Sequence, residues 1–89
     1  VSGDVYVAHE AAVLKHSESL KCLVRARAKL MEGLAAWHRE KTPHTEERLT
    51  HYYLVVRDCQ RNVDDASERV DVAYWAAFAA MEAAEETKR

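Results

Sequence analysis

The sequence predicts an all-α protein: an antiparallel two-helix hairpin, with helices over about residues 4–41 and 43–87, in a single domain spanning 1–89. Three observations carry this expectation. The 89 residues include only two Gly and one Pro, and the chain is rich in Ala, Glu, Arg and Leu, which form helix readily. Apolar residues recur at spacings of three and four through both halves. The single proline, Pro43, sits near the middle, where a chain reversal would leave two arms of similar length.

The first helix is expected to start at Asp4, an N-cap following Ser2-Gly3. Its seam runs Tyr6, His9, Val13, His16, Leu20, Leu23, Arg27, Leu30, Leu34, Trp37, a heptad pattern without a skip. It should stop at Lys41 or Thr42, because the residue before a proline is pushed out of the helical region. Gly33 lies inside this helix at a cost of about 1 kcal/mol against Ala, which fits a close helix contact there.

The second helix opens with Thr42 as N-cap and Pro43 at its first position. Glu46 and Glu47 follow near the first turn, where the helix dipole favours acids. Its seam runs Leu49, Tyr52, Val56, Cys59, Val63, Ala66, Val70, Ala73, Ala77, Ala80, Ala84. An alternative is a three-helix bundle with a break near 62–65, since Asp65-Ala66-Ser67-Glu68 resembles a capping box. The unbroken apolar phase, with neither Gly nor Pro, favours one helix.

A short connection makes the helices antiparallel, so that facing residues have numbers summing to about 84. Leu30, Leu34 and Trp37 then meet Leu49, Tyr52 and Val56 at the turn end. At the open end Tyr6, His9, Val13 and His16 face Ala66, Ala73 and Ala77, large against small.

Such a seam leaves much apolar material outside it. Val70 to Ala84 is interrupted only by Asp71 and Glu82, and wrapped as a helix it is apolar almost all round. Eighty-nine residues make a marginal core, and oligomerisation is a common remedy. The expectation is a homodimeric four-helix bundle and a binding surface for another, helical protein. Tyr6, Val13, Leu14, Val72, Tyr74, Trp75, Phe78 and Met81 form the expected interface. His9, His16 and Arg27 are polar seam positions that set register, with Arg27 paired to Asp58 and His16 near Glu68.

Charge limits the other partners. The formal net charge is −2, with seven Lys/Arg against five Asp/Glu in residues 1–41 and six against ten in 42–89. No long-range field gathers nucleic acid or an anionic membrane. An alternative nucleic-acid surface uses Lys21, Arg25, Lys29, Arg57 and Arg61, a mid-helix basic row without aromatic interleaving. The uncharged run from Val72 to Met81 is half the length of a membrane span.

No motif commits the chain to catalysis, a metal or a cofactor. His9-Glu10 lacks the second His of a zinc-helix motif, because position 13 is Val. No Glu precedes a His by three, as di-metal bundles require. His38, His44 and His51 flank the turn in no ligand spacing. A third class of function, an inter-subunit enzyme site around His9, His16 and Arg27, has only those three side chains behind it. Cys22 and Cys59 are expected as free thiols, and the absence of a basic head and apolar stretch at the N-terminus makes a cytoplasmic location the expectation.

In size and hairpin shape the chain resembles the helical-hairpin substrates of type VII secretion. Their Trp-x-Gly turn is replaced here by Trp37-His38-Arg39, and their Tyr-x-x-x-acid tail by Tyr74 followed four residues later by Phe78. It also shares a long first helix with the all-helical chorismate mutases, but of their inward basic residues only Arg27 has a counterpart. No family is assigned from these resemblances.

Overall fold

The computed structural model describes residues 2–88. Two helices, α1 (Ser2–Arg39) and α2 (Pro43–Lys88), pack antiparallel into a rod of 71 × 14 × 13 Å. α2 is one continuous helix, so the three-helix alternative with a break near 62–65 does not hold. Val63 and Ala66 are buried in the seam there, and carrying them in phase requires the helix to run on. Asp65 and Glu68 are exposed and cap nothing.

The turn explains where α1 ends. The Glu40 amide still donates to the Ala36 carbonyl at 3.0 Å, closing the last helical turn. The Glu40 carbonyl then turns away, accepting from the Thr42 amide at 3.1 Å and the Thr45 hydroxyl at 2.7 Å. α1 therefore stops at Arg39, two residues before the expected end. Thr42 caps α2 as expected. Its hydroxyl accepts from the Thr45 amide at 3.2 Å, while Thr45 Oγ1 accepts from the Thr42 amide at 3.0 Å. This is the reciprocal pattern of a capping box, with Thr in the place of Glu. At the other end α1 already includes Ser2, so Asp4 is not the N-cap. It lies in the first turn, where its charge complements the helix dipole.

The seam of α2 is the expected one: Val63, Ala66 and Ala77 are buried, and Leu49, Tyr52, Val56, Cys59, Val70, Ala73 and Ala80 are half-buried. Ala84 is exposed, beyond the level at which α1 ends. Half of the α1 seam differs. His9, His16, Leu23, Leu30 and Trp37 do line it, but they alternate with Val5, Ala12, Ser19, Ala26 and Gly33. Tyr6, Val13, Leu20 and Arg27 are exposed beside it, and Leu34 is half-buried at its edge.

The reason is close approach. Gly33 lies against Tyr52, so near that a Cβ there would stand 2.7 Å from the ring. Ala12, Ser19, Ala26 and Gly33 are small at every seventh residue, as are Cys59, Ala66, Ala73 and Ala80. Small residues let the backbones come together, and the bulkier neighbours are turned out to the flank. The contacts keep residue numbers summing to about 84, as in the groove shared by Ala12 and Ala73 and the ring contact of His9 with Tyr74.

The rod hides little of itself. Among the described residues the buried hydrophobic ones are Leu23, Ala26, Val63, Ala66 and Ala77. The accessible surface is 6958 Å², whereas a compact monomer of 10.2 kDa exposes about 5,300 Å². The radius of gyration is 20.2 Å against about 12 Å for a compact domain of this length.

Candidate functional site

A hairpin of two helices has two broad flanks, and the contacts across the seam sort the side chains between them. On one flank Arg27 donates to Gln60 Oε1 at 3.1 Å, His9 touches Tyr74 with ring centroids 6.1 Å apart, and Leu30, Leu34, Leu49 and Tyr53 share a shallow groove. Heptad spacing adds Tyr6, Val13 and Leu20 to this flank from α1, and Met81 and Phe78 from α2. It is the apolar flank. On the other, Ala8 and Ala12 share an open groove with Arg69, Val72 and Ala73, and Cys22 and Ala26 share one with Lys29, Tyr52 and Cys59. That flank mixes small residues with charge.

The expected interface residues divide accordingly. Tyr6, Val13, Tyr74, Phe78 and Met81 come together on the apolar flank. Leu14 and Trp75 lie at its outer edges, 62% exposed each. Val72 does not join them; it lines the groove on the opposite flank and is 66% exposed. The aromatic side chains of α2 form one cluster. Trp75 and Phe78 meet edge to face at 5.6 Å between centroids, Tyr74 and Trp75 at 5.2 Å, and Tyr74 stacks with Phe78 at 6.4 Å. Tyr53, Leu20 and Leu34 belong to the same flank and are missing from the expected interface, because hydrophobic spacing alone puts the last two in the seam. The seven-residue repeat of small residues in α1 is the signal that moves them outward.

Of the polar seam positions, His9 and His16 are half-buried in the seam as expected. Arg27 is not in it. It is exposed on the apolar flank and bonds Gln60, not Asp58. Asp58 instead lies 3.7 Å from its neighbour Arg57. The guanidinium lies outside because Ala26 occupies the seam at that level, so no buried charge needs a partner. Gln60 passes the contact on, donating to Asp64 Oδ1 at 3.1 Å. No ion pair of His16 with Glu68 forms among the described residues.

The basic row is divided by the fold. Arg25 and Lys29 border the Cys22–Cys59 groove, and Lys29 pairs with Glu32 at 3.8 Å. Arg57 occupies the heptad position of Phe78, on the apolar flank, with Arg61 at its outer edge and Lys21 at the outer edge of α1. The five residues lie at similar levels but not on one surface. His38, His44 and His51 are exposed around the turn. Among the described residues no three His, Cys, Asp or Glu side chains group as metal ligands would. Cys22 and Cys59 are free thiols bordering one groove. No described helix is long and apolar enough to cross a membrane.

No family model matches the chain, and neither does any curated protein or solved structure compared with it.

Proposed function

We propose that this chain is a non-catalytic protein–protein interaction module, an adaptor, inhibitor or small regulatory subunit, that works by laying its apolar flank against helices of another chain, its own copy included. The observation that supports this most is the surplus of surface, about 1,600 Å² beyond that of a compact monomer. It includes the aromatic cluster of Tyr74, Trp75 and Phe78, exposed by 48%, 62% and 41%. An aromatic group of this kind is what anchors helix-on-helix interfaces, and leaving each large side chain in water forgoes roughly 1.5–3 kcal/mol.

The test is the size of the particle in extracts of the source cell. The chain should elute as an assembly larger than its own 10.2 kDa, and Trp75→Asp should elute as the lone chain. Equal elution of the two forms would show that the indole is merely tolerated at the surface.

A further inference from the structure

We infer that the apolar flank is covered by a second copy of this chain lying antiparallel, turn end over open end, with the two-fold axis near Leu20 at mid-rod. This rests on the interaction-module reading and fixes its partner, face and direction.

Area is the first argument. The two-helix flank is about 57 Å long, the length of the 38-residue α1 at about 1.5 Å per residue, and 14 Å wide, or about 800 Å², and a stable interface covers about 800 Å² on each partner. A second hairpin of the same length and shape covers all of it, and the product is a four-helix bundle in which every neighbouring pair of helices is antiparallel.

Charge decides direction. Along the shared length of the helices, each residue of α2 is level with the α1 residue whose number completes a sum of about 84. Over the middle of the flank the acids Glu10 and Asp71 therefore lie towards the open end, Asp64 at mid-rod, and Arg27 and Arg57 towards the turn. All five are exposed. A second copy laid parallel brings α1 over α2 at equal levels. Arg27 then stands over the copy's Arg57, and Glu10 beside its Asp71. Laid antiparallel about mid-rod, Asp71 comes level with the copy's Arg57, and the same contact repeats by symmetry. Tyr6 comes level with Leu34, and Leu20 meets its own counterpart. Asp64, on the axis, comes level with its own counterpart; Gln60 donates to it at 3.1 Å and Arg61 lies one turn before it. The parallel arrangement sets like charge against like at four places, Arg27 over Arg57 and Glu10 beside Asp71, each twice. The antiparallel one does so at Asp64 on the axis and where Glu46 comes level with the copy's Glu82, but gains two opposite-charge contacts, so charge favours it.

The experiment is sedimentation equilibrium of the purified full chain and of three variants, Arg57→Glu, Asp71→Lys and the two together. Both positions are exposed, and neither substitution removes a seam contact. In the antiparallel bundle each single variant replaces two opposite-charge contacts by like-charge ones and weakens self-association by roughly tenfold. The double variant restores it, because the two charges have then traded places and opposite signs face each other again. In the parallel arrangement the sign reverses: each single change relieves a repulsion and tightens the dimer. Tightening overturns the inference, and so does affinity unchanged by all three. A purified chain that stays at 10.2 kDa at high micromolar concentration overturns it as well, while a large particle in the cell extract, lost with Trp75→Asp, would leave the module reading standing with a different partner.

Discussion

Gly33 and Thr42 are the two residues on which the hairpin's geometry turns. A Cβ at 33 would stand 2.7 Å from Tyr52 Cδ2, and that ring is held in the seam with its hydroxyl accepting from Arg48 at 3.2 Å. Gly33→Ala gains about 1 kcal/mol of helix propensity but forces the helices apart or the ring aside, at a cost of about 1–3 kcal/mol. The expected net effect is destabilisation by about 1 kcal/mol, a drop of about 4–8 °C in melting temperature. Gly3 has open space where its Cβ would be. Gly3→Ala should be neutral or raise the melting temperature, and the pair measured by thermal denaturation separates packing from propensity. Thr42→Ala removes the cap on the Thr45 amide and should cost about 1 kcal/mol, read from chemical denaturation. A cost near zero would mean that Thr45, through its own bonds to the Glu40 and Thr42 carbonyls, holds the turn alone.

At the level of the helix, the continuity of α2 through residues 62–65 is the feature most open to measurement. Val63 and Ala66 lie buried on either side of Asp64 and Asp65. Amide exchange across 60–68 should be as slow as in the flanking turns. A local maximum of exchange there would restore the three-helix alternative. The number and direction of the helices, the turn, and the whole α2 seam as far as Ala80 are legible in the sequence, because the Val and Ala positions at spacings of three and four keep one heptad phase from Leu49 onward. The α1 seam is only half legible. Tyr6, Val13, Leu20 and Leu34 are more hydrophobic than Val5, Ala12, Ser19, Ala26 and Gly33, so a rule that follows hydrophobicity selects them. What decides in a two-helix seam is how near the backbones come, and small side chains win there. The same half-step misplaces Arg27 and gives it a buried partner it does not need. The exposed apolar side chains are legible as a class, surplus to the seam, but not all by flank. Val72 and Phe78 are both exposed on the same stretch of α2; the groove with Ala8 and Ala12 puts Val72 on one flank, and heptad spacing puts Phe78 on the other.

For the whole molecule the governing fact is shape. A rod with a radius of gyration of 20.2 Å and five buried hydrophobic residues among those described has too little interior for its apolar content, and stability then depends on what covers the outside. In the proposed dimer assembly and folding are coupled, so the melting temperature should rise with protein concentration. Trp75→Asp should lower it and remove that dependence. The most direct measurement is the mass of the purified 89-residue chain by sedimentation equilibrium at high micromolar concentration. The account predicts a particle of twice 10.2 kDa. A single species of 10.2 kDa, stable and with its indole at 75 in water, would contradict it.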